Sequence, residues 1–197
     1  MALPLSVAVI ASNEERNIGR CLRSINDLAS EIIVVVNDCH DKTVEIAKSF
    51  SAKIYEKPWH GFSYQKNLAL EYTSQPWILC LDADEAVDDE LHESIVSFIR
   101  INDHAYSGAY FSRRTFFMNC WIKHGDWAPD YNTRLFRKKH GLWSKDRVHE
   151  KLNVSGHLKK LEGHLLHYSF ASIESYMKKN MKYAELCESL EHKSMLN

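Results

Sequence analysis

The sequence predicts an α/β fold: a mostly parallel sheet flanked by helices, followed by a β-rich extension and a C-terminal helix. Three observations carry this expectation. The first hundred residues alternate between short aliphatic runs and segments with apolar residues at helical spacing. The aliphatic runs are apolar on both faces, as strands of a parallel sheet covered by helices must be. After about residue 104 the pattern changes to longer, aromatic, strand-like runs.

The elements follow in order. "LSVAVIAS" (5–12) is a buried strand, and from Glu14 the apolar residues Ile18, Leu22 and Ile25 recur at helical spacing. "EIIVVVND" (31–38) is the second strand, and "DKTVEIAKSF" (41–50) is a helix with Asp41 as its N-cap. "KIYEK" (53–57) is the third strand, "FSYQKNLALEY" (62–72) a helix, and "WILCL" (77–81) the fourth strand. Asp88, Asp89 and Glu90 open a helix whose apolar face is Leu91, Ile95, Phe98 and Ile99. In the second half "AYSGAYFSRRTFF", "TRLFRKK" and "HLKKLEGHLLHYSF" read as strands. From Ser172 a helix places Ile173, Met177, Met181, Ala184 and Cys187 on one face, suited to core or docking contacts. No internal repeat and no low-complexity linker interrupts the chain, so one domain is expected over 1–197. Its parts are residues 1–103, 104–170 and a helix over 172–193.

Composition narrows the class. The 197 residues are 45% hydrophobic, enough for one full core. No apolar run approaches the roughly 20 residues of a membrane span. The N-terminus passes from an apolar run straight into Asn13, Glu14 and Glu15, and reads as a first strand and not a signal peptide. Five scattered cysteines without a CxxC pair suggest a reducing cytoplasm and no zinc site. Charge is uneven. Residues 1–100 carry 9 Lys/Arg against 16 Asp/Glu, and residues 101–197 carry 16 against 10. A cation suits the first half and an anionic partner the second; equally, both halves are simply solvated. No basic run exceeds three residues, and no nucleic acid is expected among the partners.

The densest chemical signal is "WILCLDADEAVDDEL" (77–91), in which six of the nine residues from Asp82 to Glu90 are acidic. Asp82 and Asp84 fall where the fourth strand ends, the side on which open α/β sheets bind ligands. Two carboxylates there suit Mg²⁺ or Mn²⁺, hard cations that bridge to phosphate, and such a cation would relieve the local repulsion. Asp88, Asp89 and Glu90 have a plainer explanation at the positive end of a helix. Glu85 fits either group. With seven glycines and neither GxGxxG nor a Walker pattern, dinucleotide and P-loop sites are poor readings, and a metal-bridged diphosphate fits better.

The stretches "VAVIASNEERNIGRCLRSI", "EIIVVVNDCHDKTVEIAKSF", "GFSYQKNLALEYTSQPWILCLDADE" and "DWAPDYNTRLFRKKHGLW…RVHEKL" resemble family 2 glycosyltransferases of the GT-A fold. Within them the chain resembles the bacterial lipopolysaccharide-core β-1,4-glucosyltransferase group, over roughly residues 4–190. The resemblance implies an inverting enzyme that takes a nucleotide sugar, commonly UDP-glucose, with Mg²⁺ or Mn²⁺. It makes residues 1–103 the nucleotide-sugar half and residues 104–170 the acceptor side. Asn13 and Glu14 match the nucleotide-contacting turn, Lys66 and Asn67 the basic-Asn pair near the donor, and Asp82 and Asp84 the metal and diphosphate motif. Glu150 matches the catalytic base, and His167 a histidine near the diphosphate and its metal. Many relatives read Asp-Ser-Gly-Ser-Thr-Asp after strand two, where this chain has Val36 to Asp41; Asp38 stands in for the base-contacting Asp. Relatives also usually continue beyond this C-terminus.

The base is sought in the second half, because the acids of the first half gather around the metal. Its candidates are Asp126, Asp130, Asp146 and Glu150, with Asp130 second to Glu150; the alternative for Glu150 is a surface acid paired with Arg147 or Lys151. Arg134, in "TRLFR", either pairs with phosphate or lies at the surface. His149 lies in a family-like segment, and Trp121, Trp127, Tyr131 and Trp143 suit either sugar rings or core packing. The expected acceptor is an anionic lipopolysaccharide-core glycolipid met at the inner face of the cytoplasmic membrane. Two rivals stand against this. A haloacid-dehalogenase-type phosphatase also places Asp-x-Asp after a strand, but after the first and with a nucleophilic Asp. A non-catalytic nucleotide-sugar binding module would keep Asp82 and Asp84 without a working base.

Overall fold

A computed structural model describes residues 2–125, 127–144 and 150–170, together with 173, 174, 176, 177 and 181. The element order is β1 (Leu3–Ala11), α1 (Ile18–Arg23), β2 (Ala29–Val36), α2 (Thr43–Ser49), β3 (Lys53–Glu56), α3 (Phe62–Glu71), β4 (Trp77–Asp82), β5 (Glu85–Val87) and α4 (Asp89–Ile101). It continues with β6 (Tyr106–Phe117), β7 (Cys120–Trp121), β8 (Asp130–Arg137), β9 (Gly141–Trp143), β10 (Leu152–Val154) and β11 (His157–Phe170). The first four long strands run parallel in the order β3-β2-β1-β4, and the sheet goes on as β8-β6-β11-β5. Only β8 and β5 run against the rest of that path. β7 pairs with β6, and β9 and β10 form a separate ribbon.

The apolar strands are buried on both faces, as their composition demands. One face packs Val7, Val9 and Leu79 against Ile18 and Leu22 of α1, Ala47 of α2, and Leu91, Ile95 and Phe98 of α4. The other packs Ala8, Ile33, Val35, Ile78 and Phe136 against Ala69 and Leu70 of α3 and Trp143 of β9. Each fully buried aliphatic or aromatic side chain contributes about 1.5–3 kcal/mol.

Two predicted helix starts shift. The segment from Glu14 is first a turn, with Asn17 and Ile18 N–H groups donating to the Glu14 carbonyl, and α1 proper begins at Ile18. Lys42, not Asp41, is the N-cap of α2; Asp41 stands one residue earlier and accepts from the Thr43 N–H at 2.9 Å. The start of α4 is as read: Asp88 accepts from Leu91 N–H at 2.8 Å, with Asp89 and Glu90 in the first turn.

One connection shapes everything that follows. Only Ala83 and Asp84 separate β4 from β5, yet β8, β6 and β11 lie between those strands in the sheet. The second half therefore curls around α4 and returns to the end of β4. Gly163 permits the close pass of β11 over α4: its φ is +89°, and a Cβ there would stand 2.1 Å from the Leu91 nitrogen. Next to it, His164 N–H donates to Asp88 at 2.9 Å, and Asp88 N–H donates to the His164 carbonyl at 3.1 Å. Among the described residues no helix is long and apolar enough to cross a membrane. The C-terminal helix expected over 172–193 lies largely outside the described residues; 173, 174, 176, 177 and 181 are helical.

Candidate functional site

The carboxyl ends of β1, β2 and β4 open on one side of the sheet, where the predicted residues of the first half stand. Parallel pairing brings Ile10 level with Asp82, and Ala11 level with Val36. Beyond these ends the chain turns through left-handed backbone at Asn13 (φ +55°) and Asp38 (φ +47°). Asn13 locks the two turns together: its Oδ1 accepts from His40 N–H at 2.8 Å and its Nδ2 donates to the Asp38 carbonyl at 3.3 Å. Glu14 N–H donates to the Thr43 hydroxyl at 2.7 Å, while the Glu14 carboxylate accepts from Asn17. The Asp38 carboxylate pairs with His40 at 3.0 Å, with both side chains about three-quarters exposed.

Asp82 is the centre of a charge network. Lys66 Nζ lies 3.0 Å from one carboxylate oxygen and Arg134 Nη2 3.0 Å from the other. Burial opposes its charge, but Lys66 and Arg134 overcome that and hold the carboxyl well below the usual range. The same Lys66 ammonium is 3.0 Å from Glu150 Oε1, so one cation joins Asp82 to the base candidate. It lies 4.4 Å from the Trp143 ring centre, a further favourable contact for a buried ammonium. Glu85 is fully buried; it accepts from Asp82 N–H at 2.9 Å and from Arg134 at 3.0 Å, and it lies 3.6 Å from Arg113. Repulsion among the acids is thus relieved in part by cations of the chain itself, from α3, β6 and β8.

Several assignments change with this geometry. Arg134 is neither a surface residue nor free for a phosphate alone, because its guanidinium is buried between Asp82 and Glu85. Asn67 is spent on structure: its amide bonds both the Trp143 carbonyl (3.1 Å) and the Trp143 N–H (2.9 Å), fixing β9 on α3. Asp130 begins β8 and is held by Arg113 Nε and Nη2 at 2.8 and 2.7 Å. Glu150 lies outside any strand, and among the described residues Lys66 is its ion-pair partner, with the Glu150 side chain 17% exposed. Asp126, Asp146, Arg147 and His149 lie outside the described residues. Trp143 is core, whereas Tyr131 is half exposed.

Asp84 and His167 meet on the far side of the turn. β5 pairs with β11 so that Glu85 faces His167, and Tyr168 N–H donates to the Asp84 carbonyl at 2.8 Å. His167 Nε2 then lies 3.4 Å from Asp84 Oδ2, and its buried Nδ1 has no hydrogen-bond partner among the described residues. Two ligands side by side on an octahedral cation at about 2.1 Å stand roughly 3 Å apart, so this pair fits Mg²⁺ or Mn²⁺. Among the described residues no three His, Cys, Asp or Glu side chains gather to hold a cation alone. A cation of this kind keeps water and phosphate ligands besides one or two from protein, which suits two donors. The buried Nε of Arg134 is likewise without a partner among the described residues. Sequence reasoning misses Arg113; it leaves Glu85 open between the two groups of acids, on its place in the acidic run alone, and Trp143, open between sugar face and core, is core with its ring beside Lys66.

Residues 6–153 match the profile of glycosyl transferase family 2. The chain is 30% identical over 191 residues to the lipopolysaccharide core biosynthesis glycosyltransferase LpsC of Rhizobium meliloti, covering 93% of this chain and 70% of LpsC. It is 31% identical over 190 residues to an uncharacterized glycosyltransferase of Rickettsia typhi, covering 91% of this chain and 65% of that protein. The fold is similar to that of S. aureus TarS 1-349 in complex with UDP-GlcNAc, with a TM-score of 0.53 and 20% identity over 70% of this chain and 46% of TarS. The chain therefore spans about two thirds of these curated relatives and less than half of that structure.

Proposed function

The chain belongs to glycosyl transferase family 2 and has the GT-A fold, and from that premise we propose an inverting hexosyltransferase. The donor we propose is a nucleotide sugar, UDP-glucose first, and the acceptor an anionic glycan of the lipopolysaccharide core or another cell-envelope glycan. Residues 1–103 serve the donor and residues 104–170 the acceptor. The observation that carries the reading is the single ammonium of Lys66, 3.0 Å from both Asp82 and Glu150. It puts a carboxylate suited to abstracting a proton beside the residues suited to holding a nucleoside diphosphate.

In this reading Asn13, Glu14 and Asp38 border the nucleoside, and Asp82, with Lys66 and Arg134, borders the diphosphate. Asp84 and His167 would hold Mg²⁺ or Mn²⁺, whose positive charge would offset that of the leaving diphosphate. Glu150 takes the proton of the acceptor hydroxyl as that oxygen bonds to the anomeric carbon and the nucleoside diphosphate leaves from the opposite face. One displacement inverts the configuration. Asp130 is the second candidate for the base, with its carboxylate committed to Arg113. The surplus of basic residues beyond residue 100, among them Lys138 and Lys139, supports an anionic acceptor at a cytoplasmic membrane face. A phosphatase would need its nucleophilic Asp after the first strand, whereas Asp82 ends β4, the fourth.

The test is a panel of nucleotide sugars read by thermal stabilisation, with and without Mn²⁺. UDP-glucose at about 100 times its dissociation constant adds about 2.7 kcal/mol. Asp84→Asn abolishes the metal-dependent part and leaves the unliganded protein folded. Equal stabilisation in excess chelator overturns the metal assignment. Glu150→Gln lowers turnover about 10²- to 10⁴-fold with donor affinity unchanged. Near wild-type transfer by that variant moves the base to Asp130.

A further inference from the structure

Directly after β3 the chain is pinned between two parts of the donor side. Lys57 N–H donates to the Val36 carbonyl at 2.9 Å, Asn37 Nδ2 donates to the Lys57 carbonyl at 3.2 Å, and Gln65 Nε2 donates to the Pro58 carbonyl at 3.0 Å. The next residue is Trp59. Its ring stands edge-on to Phe62, with centroids 4.8 Å apart and planes at 90°, yet it is 44% exposed. Beside it His60 meets Tyr64 at 4.9 Å, and Tyr64 is 50% exposed. A large aromatic surface fixed by backbone hydrogen bonds and left facing water marks a contact surface more than a packing remnant.

Its position says what it contacts. Phe62 precedes Lys66 by four residues in α3, so the two share a helix face, and helical side chains tilt toward the N-terminus. Phe62, on which Trp59 packs, therefore stands one turn before the lysine whose ammonium joins Asp82 and Glu150. The aromatic wall also adjoins the Asn37–Asp38 turn, where hydrogen-bonding groups are already committed: Asn37 to Lys57, Asn13 to His40 and Asp38, and the Asp38 carboxylate to His40. The half-exposed Trp59 ring adds a flat aromatic face to that side. β3 lies three strand spacings from β4, about 14 Å, a span comparable with an extended nucleoside diphosphate. The acceptor half of the sheet lies beyond β4 in the opposite direction.

We infer that Trp59, backed by Phe62, is the stacking wall for the nucleobase of the donor, so that the base is held by its π-face. The inference rests on the donor reading above and adds to it the residues that grip the base. The experiment measures binding of UDP and of ribose 5-diphosphate, which lacks the base, to the whole chain by calorimetry with Mn²⁺ present. In Trp59→Ala, UDP binds about 5- to 150-fold more weakly, the range for loss of one base–aromatic stack. Ribose 5-diphosphate is unaffected, and Trp59→Phe retains most of the UDP affinity. Trp59 is exposed, so these variants fold. Equal weakening of both ligands overturns the inference, because the residue then only positions its loop. Unchanged UDP affinity with a raised KM for the glycan acceptor also overturns it and makes the wall a sugar platform. Unchanged UDP affinity with lost binding to anionic vesicles overturns it in favour of a membrane contact. Wild-type protein that binds no UDP overturns the donor reading and this inference together, whereas tight wild-type binding that Trp59→Ala leaves intact overturns the inference alone.

Discussion

Two acidic triplets stand almost adjacent in the chain and meet their charge in opposite ways. Asp82, Asp84 and Glu85 are answered by side chains far away in sequence: Lys66, Arg113, Arg134 and His167. Asp88, Asp89 and Glu90 are answered by the backbone of the helix they begin, with Asp88 accepting from Leu91 N–H. The first arrangement is buried and costly to leave incomplete; the second is partly solvated and forgiving. Charge density alone therefore does not mark a functional site. What distinguishes the first triplet is that its compensation needs four other elements, α3, β6, β8 and β11, to converge on one strand end, and that convergence assembles the site.

The comparison is broken most severely at Arg134. Arg134→Met leaves Asp82 and Glu85 facing each other with less compensation, and breaking such a buried pair costs about 3–5 kcal/mol. The urea midpoint at neutral pH falls accordingly, and Glu85→Gln in the same chain restores part of it. A loss well under 1 kcal/mol would mean that Lys66 and Arg113 carry the compensation without it.

An acid at the amino end of the sheet sharpens the contrast by titration. Burial pushes the Glu31 carboxyl up, but Lys53, Ser6 and Ser74 outweigh burial and bring it from 4.5 to about 2. A carboxyl lowered on folding stabilises the protein above its unfolded value and loses that contribution as pH falls toward the folded one. Urea midpoints therefore decline between about pH 5 and pH 2, and Glu31→Gln flattens part of that decline. Lys53 is 61% exposed, so the effect is smaller than at Arg134.

The smallest effect belongs to the second triplet. Asp88→Ala costs about 1 kcal/mol for the lost cap, and up to about 2 because His164 N–H also loses its acceptor. Donor binding is unchanged in that variant, measured as UDP affinity. A large loss of UDP affinity would show that the two triplets act as one unit.

The same distinction explains what could be read from sequence. The parallel half was legible because periodicity is local: Ile18, Leu22 and Ile25 announce α1's buried face, and "EIIVVV" announces β2. Asp88 was legible for the same reason, since its partner is three residues away. Asp82 and Asp84 were placed at a strand end by the βα series. Their partners were not legible, because nothing local to Arg134 tells of Glu85, and nothing local to Asn67 tells of Trp143. β5 was also missed as a strand: three residues, Glu85 to Val87, give no period, and they become a strand only when β11 arrives beside them. Asp41 shows the limit within a local reading, as the favoured capping residue sits one place early and serves Thr43 from there.

The return of β11 to the Ala83–Asp84 turn has a consequence in time. A ribosome delivers β1 to β4 first, with Asp82 and Asp84 already at a strand end. Arg134, Glu150 and His167 emerge only later, and the clasp between Glu85 and His167 closes with the last strand. Until then two carboxylates and a buried glutamate lack most of their counter-charges, so the nascent half is held back by its own acids. Nucleotide binding in a series of lengthening chains would then report the moment at which the sheet closes, making the ligand a clock for the fold.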